Sequence, residues 1–129
     1  MGIDLTSVTG VQESIDTHGD RYLERVYTDA ELAECRTGAG MDAERLAARF
    51  AVKEATMKVL RPTEHDAVPW TEIEVRHADA SDAVEVDLTG RAAELAAVSG
   101  IGELDASLTH EAEFAAAVVV AEMDAANGG

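Results

Sequence analysis

The fold is decided by residues 42–60, which read DAERLAARFAVKEATMKVL. This stretch consists largely of Ala, Glu, Arg, Leu, Met and Lys, which favour helices, and it contains neither Gly nor Pro. Pro62 follows closely and disfavours helical backbone at the residue before it. We therefore predict one long helix that begins at Asp42 and ends near Leu60.

The apolar face of this helix is interrupted by a charge. Lys53 lies at a central position of the stripe formed by Leu46, Phe50, Met57 and Leu60. A charge on a buried face must extend to water, pair with an opposite charge or contact a ligand. Lys53 is therefore a candidate site residue.

Glu54 and Lys58 lie four positions apart on the flank beside Lys53. On spacing alone, an exposed Glu–Lys pair worth a few tenths of a kcal/mol explains them. The distribution of basic residues favours a site, because Lys53 and Lys58 are the only lysines among 10 basic residues. Lysine is a compact charge that can lose its proton, which arginine does not.

The remaining segments predict a small sheet and short helices. Alternating patterns bounded by turn residues predict strands over 2–8, 70–76, 83–88, 103–109 and 114–122, although the last is also compatible with a helix on composition. Helices are predicted over 20–27 and 91–98, and another begins at Thr28, with Glu31 completing a capping box. The turn before residue 83 carries Asp79, Ser81 and Asp82.

This order of elements predicts an α+β fold, with a small antiparallel sheet packed against the long central helix. At 129 residues the chain is expected to form a single domain spanning residues 1–129, with a frayed tail at 124–129.

The charge of the chain excludes several partners. Its net charge is −16, from 26 acidic and 10 basic residues, which disfavours nucleic acid and anionic membranes as partners. The longest apolar run without a charge covers residues 114–121. It is far shorter than the roughly 20 residues of a helix that spans a membrane. Cys35 is the only cysteine, so no intrachain disulfide can form, and we expect a cytoplasmic protein.

Two further residues are candidates for chemistry. Asp4 alternates with Ile3 and Leu5 in the first strand, and we expect it to point away from the face that these two bury. It is either an exposed edge-strand residue or a metal ligand, since Mg²⁺ is commonly held by one or two carboxylates plus substrate phosphates. Glu54 could supply the second carboxylate. His110 follows a strand, and is either structural or part of a site.

Four stretches of this sequence resemble holo-acyl-carrier-protein synthases, the small single-copy type of 4′-phosphopantetheinyl transferase. They are Gly2-Ile3-Asp4, the segment RYLERVYT at 21–28 with Glu31-Leu32, the segment RFAVKEATMK at 49–58, and Trp70 to Val75 together with Ser107-Leu108-Thr109-His110. The likeness covers roughly residues 2–122. It implies an α+β trimer, with sites between subunits, that transfers the phosphopantetheine arm of coenzyme A to a serine of an acyl carrier protein and releases 3′,5′-ADP.

The resemblance also implies roles for individual residues. Asp4 and Glu54 would hold Mg²⁺ against the coenzyme A pyrophosphate, Glu54 would help deprotonate the serine, and Lys58 would neutralise or protonate the leaving phosphate. Four residues would contact coenzyme A phosphates, namely Arg49, Lys53, Thr109 and His110. Arg21 and Arg25 would meet the acidic carrier protein.

One segment departs from the family pattern. The chain has Arg61-Pro62-Thr63 where the family usually has Gly-Thr-Gly after the motif helix. This difference motivates an alternative, a catalytically silent homologue that acts as a carrier-protein-binding or assembly module.

Overall fold

The computed structural model of the protein describes residues 1–77 and 83–124. The chain begins with strand β1 (Gly2–Ser7) and three helices, α1 (Val8–His18), α2 (Asp20–Val26) and α3 (Asp29–Cys35). The short strands β2 (Arg36–Thr37) and β3 (Gly40–Met41) lead into the long helix α4 (Ala43–Leu60). A 3₁₀ turn (Trp70–Glu72) precedes the remaining elements, β4 (Ile73–His77), β5 (Ala83–Leu88), α5 (Gly90–Val98), β6 (Ile101–His110) and β7 (Phe114–Met123).

Five of the strands form one antiparallel sheet in the order β1-β7-β6-β5-β4, and β2 and β3 pair separately. Strands β1 and β4 are therefore the two edges of the sheet. In this register Asp4 lies opposite Ala117, and Ala117 lies opposite Leu108. These three residues share the sheet face that is covered by α4, because side chains on paired positions point the same way.

Helix α4 packs closely on the sheet through small side chains. Ala47, Ala51 and Ala55 are fully buried, so the helix backbone can approach β1 and β7. The approach is closest at Gly2, where a Cβ atom would lie 2.0 Å from the Ala55 carbonyl oxygen. The core around this contact is aliphatic, as the composition of the chain requires.

The predicted α+β fold is confirmed, including its long central helix. The helix begins after Asp42, whose side chain accepts from the backbone N–H groups of Glu44 and Arg45, and ends at Arg61 in a left-handed conformation (φ 50°). The Thr28–Glu31 capping box is present in both directions, at 3.2 and 2.8 Å.

Two features of the local structure differ from the predictions. The segment that begins at Trp70 forms a 3₁₀ turn before its strand starts at Ile73. Helix α1 was not predicted, since it contains Gly10 and β-branched residues, and it is instead initiated by the Ser7 side chain, which accepts from Gly10 N at 3.0 Å. The strand predicted over 114–122 is confirmed as β7, and the helix that its composition also allowed does not form.

The orientation of β1 is the reverse of the prediction. Asp4 is buried, whereas Ile3 and Leu5 are 56% and 65% exposed. The apolar residues therefore face outward, and the carboxylate faces α4, where it finds hydrogen-bond donors. The turn residues Asp79, Ser81 and Asp82 lie outside the described part of the chain, as does the predicted tail except for Asp124, whose N–H donates to Gly100 O.

Within the two described ranges, no helix combines the length and the low polarity that crossing a membrane would require.

Candidate active site

Asp4 is held on the inner face of β1 by two side-chain donors. The hydroxyl of Thr6 donates to Asp4 Oδ2 at 2.9 Å, and Lys58 Nζ donates to Asp4 Oδ1 at 3.1 Å. Lys58 also donates to the backbone oxygen of Ile3 at 2.8 Å, while its side chain remains 56% exposed. The aspartate is therefore fixed in orientation, and the lysine beside it remains accessible to a substrate.

Glu54 meets Asp4 at this position. Partial burial and the nearby carboxyl group of Asp4 raise the pKa of Glu54 to about 7, against an opposing effect of Lys58. Two neighbouring carboxyl groups cannot both be ionised without a cost, which a cation would remove. Asp4 and Glu54 are far apart in the sequence, and the fold brings them together.

This pair of oxygens suits a hard cation. Within the described residues, no group of three or more His, Cys, Asp or Glu side chains could enclose a metal ion by itself. Mg²⁺ retains water and is commonly bound through one or two carboxylates plus substrate phosphates. Asp4 and Glu54 therefore fit a Mg²⁺ ion whose other ligands come from water and substrate.

A cavity of about 350 Å³ opens beside Glu54, between β1, α1, α2 and α4. Its walls include Val11, Tyr22 and Phe50. The hydroxyl of Tyr22 is hydrogen-bonded to that of Tyr27 at 2.9 Å, and Phe50 packs edge-on against Trp70 at a centroid distance of 5.0 Å. A reacting group can thus approach Glu54 past a wall that mixes apolar and hydroxyl-bearing side chains.

A second pocket, of about 450 Å³, lies along the N-terminal half of α4 and is lined by Glu34, Arg45, Ala48, Arg49, His77, Leu108 and His110. Two of its nitrogen-bearing side chains are held by carboxylates. Arg49 Nη2 lies 2.6 Å from Glu34 Oε2, and His110 Nδ1 lies 2.5 Å from Glu44 Oε1. The pocket therefore presents preoriented nitrogen groups to an anion.

Two buried nitrogen atoms in this pocket have no hydrogen-bond partner within the described residues, Arg49 Nε and His77 Nε2. Leaving a buried polar group unpaired costs about 1–3 kcal/mol. Because both residues line the pocket, they are candidate contacts for a bound anion. The sequence did not single out His77, because a lone histidine at the end of a strand carries no pattern that distinguishes it.

Lys53 does not lie in either pocket. Its side chain and that of Glu31 are both fully buried, and Lys53 Nζ lies 2.8 Å from Glu31 Oε1. The same ammonium donates to the backbone oxygens of Trp70, at 3.0 Å, and Ile73. Burial lowers the pKa of Lys53, and the charge of Glu31 opposes this shift. The expected phosphate contact of Lys53 does not fit this structure, because protein acceptors occupy its ammonium.

The other predicted site residues are distributed over the surface. Thr109 lies on the outer face of the sheet, because its neighbour Leu108 points inward. Arg21 and Arg25 are exposed on α2, next to the cavity wall at Tyr22. Neither arginine forms an ion pair within the described ranges.

The two pockets face different directions. Arg49 and Glu54 are five residues apart on α4, which corresponds to a rotation of about 140° around the helix axis and a rise of about 7.5 Å. The carboxylate pair and the Arg49 pocket therefore lie on different sides of α4 in one copy of the chain.

Comparisons with known proteins identify the family of the chain. Residues 1–119 match the family model of the 4′-phosphopantetheinyl transferase superfamily. The holo-acyl-carrier-protein synthase of Koribacter versatilis is 37% identical over 121 residues, which cover 94% of this chain and 95% of that protein.

Solved structures show the same fold. The holo-acyl-carrier-protein synthase of Helicobacter pylori, solved in complex with coenzyme A, superposes with a TM-score of 0.77 at 27% identity and covers 94% of this chain and 98% of its own. The Neisseria meningitidis holo-acyl-carrier-protein synthase gives a TM-score of 0.79 at 27% identity, covering 94% and 95% of the two chains. The chain therefore belongs to the 4′-phosphopantetheinyl transferase superfamily, among its holo-acyl-carrier-protein synthases.

Proposed function

We propose that this protein transfers the 4′-phosphopantetheine arm of coenzyme A to a serine of an apo acyl carrier protein, in a Mg²⁺-dependent reaction that releases 3′,5′-ADP. The observation that carries the proposal is the meeting of Asp4, Glu54 and Lys58 at one accessible point. The names of the relatives support the activity, and the structure of one relative in complex with coenzyme A supports coenzyme A as the donor.

Asp4 and Glu54 would hold the Mg²⁺ ion, which neutralises charge on the diphosphate when bound. Glu54 would take up the proton of the attacking serine, directly or through water, because it lines the cavity through which a reacting group can approach. The serine oxygen forms a bond to the β-phosphorus of coenzyme A, and the bond between that phosphorus and the oxygen of the departing 3′,5′-ADP breaks. Lys58 is placed to neutralise or protonate that oxygen.

The Arg49 pocket would hold phosphate groups of coenzyme A. Its unpaired Arg49 Nε and His77 Nε2 atoms support an anionic ligand, and His110 contributes a third nitrogen group. Thr109 faces the opposite side of the sheet, so it would contact a donor molecule bound across a boundary with another copy.

We also propose that the protein is a homotrimer with sites between subunits. The outer face of β1 and β7 exposes an apolar patch that a second copy would cover, formed by Ile3, Leu5, Phe114, Val118 and Val120. Within one copy, the Arg49 pocket and the carboxylate pair lie on different sides of α4. A neighbouring copy could bring its own Arg49 pocket next to the carboxylate pair. Light scattering should give the mass of three chains, and Leu5→Glu should reduce it and lower activity together.

Arg21 and Arg25 would contact an acidic carrier protein beside the cavity that leads to Glu54. Two arginines on a chain of net charge −16 attract an acidic partner only at short range, so the affinity should be modest and sensitive to salt. A cytoplasmic location is consistent with the single buried cysteine, which requires no oxidising compartment.

The test is to incubate the protein with coenzyme A, Mg²⁺ and several apo carrier proteins, and to follow the carrier mass. A gain of one phosphopantetheine group is expected on at least one carrier, and Asp4→Asn should abolish it. Carrier binding without any mass gain would instead identify the silent binding module.

A further inference from the structure

The fully buried ion pair of Lys53 and Glu31 joins α4 to α3, in addition to the Arg49–Glu34 ion pair near the surface. Lys53 lies on α4, Glu31 on α3, and the two carbonyls that accept from Lys53 belong to the 3₁₀ turn and to β4. Within the described residues, its three nearest acceptors account for the three protons of the ammonium.

Glu31 is equally well satisfied. Its Oε1 atom accepts from Thr28 N at 2.8 Å and from Lys53, and its Oε2 atom accepts from the backbone N–H of Val75 at 2.8 Å. Strand β4 is an edge of the sheet, so this N–H points away from the neighbouring strand. The carboxylate therefore fixes the start of α3, the free edge of β4 and the middle of α4 at one point.

The next residue along α4 is Glu54. Adjacent residues on a helix are separated by about 100° of rotation and 1.5 Å of rise. Since Lys53 is directed at α3 and β4, Glu54 is turned towards Asp4 on β1. A shift of α4 by a single residue would displace Glu54 from Asp4, so the rotation and depth of this helix determine whether the two carboxyl groups can share a ligand.

We propose that Lys53 and Glu31 act as positioning residues, which set the rotation of α4 so that Glu54 and Asp4 converge on one cation. This inference deepens the proposed function and rests on it for the activity measurements. It assigns Lys53 a role away from the substrate, in place of the phosphate contact suggested by its sequence motif. Displacements of about 1 Å in a catalytic group can cost about a hundredfold in rate.

The test uses Glu31→Gln, Glu31→Asp and Lys53→Met in the full chain. Each variant is assayed for Mg²⁺ binding by calorimetry with the metal alone, for kcat, and for the KM of coenzyme A. We expect Mg²⁺ to bind about tenfold more weakly and kcat to fall by about tenfold or more. The KM of coenzyme A should change by less than about twofold. Glu31→Asp keeps the charge but retracts the carboxylate, so the impairment should persist in it.

Leu32→Ala is the matched control, because Leu32 is a buried neighbour on the same helix that lacks any contact to the ammonium of Lys53. It should lower the melting temperature but leave the Mg²⁺ affinity and kcat at wild-type values when assayed well below that temperature. If Lys53→Met does not fold, the two Glu31 variants decide the outcome.

Normal Mg²⁺ affinity in folded Glu31 variants would overturn the proposal, as would an equal loss in Leu32→Ala. If the wild-type protein transfers nothing to any carrier, the proposed function fails. The calorimetric measurements would still test the positioning role.

Discussion

Lys58 Nζ contacts both the carboxylate of Asp4, at 3.1 Å, and the backbone oxygen of Ile3, at 2.8 Å. One side chain from the C-terminal half of α4 thus binds both the functional group and the backbone of the edge strand β1. The ammonium is already oriented beside the carboxylate pair, so under the proposed function it would need little reorganisation to meet an anionic leaving group.

Replacing Lys58 should therefore affect the chemical step. Lys58→Met is expected to lower kcat by about a hundredfold or more, the usual scale for a group that supplies a proton or charge in the transition state. The affinity for Mg²⁺ should change much less, because both carboxylates remain. Single-turnover kinetics with coenzyme A and an apo carrier would measure the effect, and a kcat within about threefold of wild type would contradict it.

Glu54→Gln should increase stability and remove activity in the same protein. The pKa of Glu54 is raised from 4.5 to about 7 in the folded chain, so between these values the folded state holds a proton that the unfolded state releases. The stability of the metal-free protein should therefore fall as the pH rises from about 5 to 8. Glu54→Gln should lose this dependence.

Thermal unfolding with and without Mg²⁺ measures the prediction for Glu54. At pH 8, wild-type protein should be stabilised by Mg²⁺, and the affinity should increase as the pH rises through about 7, because the metal competes with the proton. The Glu54→Gln variant should melt higher than wild type without Mg²⁺ and gain little from adding it. Equal melting curves for both proteins at pH 5 and 8 would contradict the assignment.

His77→Phe should weaken the binding of the donor without affecting the chemistry. The substitution removes the unpaired Nε2 atom from the Arg49 pocket while keeping an aromatic ring. We expect the KM of coenzyme A to rise about tenfold to a hundredfold, the scale of one hydrogen bond to a charged group, with kcat nearly unchanged.

Arg76→Gln is the control for His77→Phe. Arg76 is adjacent on β4 but forms surface ion pairs with Glu85 and Asp87, so its loss should leave this KM unchanged. Equal effects of the two substitutions would show that the pocket is not responsible.

Gly2→Ala should destabilise the protein although it adds only one methyl group. The new Cβ would lie 2.0 Å from the Ala55 carbonyl oxygen, so β1 or α4 would have to move, at a cost of about 1–3 kcal/mol. Chemical denaturation measures the difference. Gly38→Ala, where no atom lies within 4 Å of the new Cβ, should change stability little. Because Asp4 is on the displaced strand, activity should fall with Gly2→Ala as well.

How well the sequence predicts a feature of this structure depends on whether adjacent residues determine that feature. The long helix, the capping box and the strands β5 to β7 follow from propensity, caps and periodicity in adjacent residues. The direction of Asp4 does not, because an alternating strand has two faces and nothing in 2–7 shows which one α4 covers. Ile3 and Leu5 suggested the wrong face because apolar side chains usually point into the core, whereas these two are exposed on the outer face of the sheet.

The candidate site shows the same division. The motif helix marked Glu54 and Lys58, and the structure brings both to Asp4. The sequence also marked Lys53 as an unusual charge, but its partner Glu31 lies on another helix, and periodicity carries no information about such long-range pairs. His77 was missed for the same reason, since its significance comes from the enclosure of its Nε2 atom beside Arg49.

Helix α4 carries both pockets, the buried ion pair and the closest sheet contact, and only Arg45 and Lys58 of its residues are exposed. Most surface helices tolerate substitution along their exposed side, so the tolerated positions recur with the period of the helix. Almost no side of α4 is exposed, so few of its positions should accept substitution. A saturation mutagenesis profile should show near-uniform intolerance along α4, with any adaptation of the protein to new carriers accumulating in the flanking helices instead.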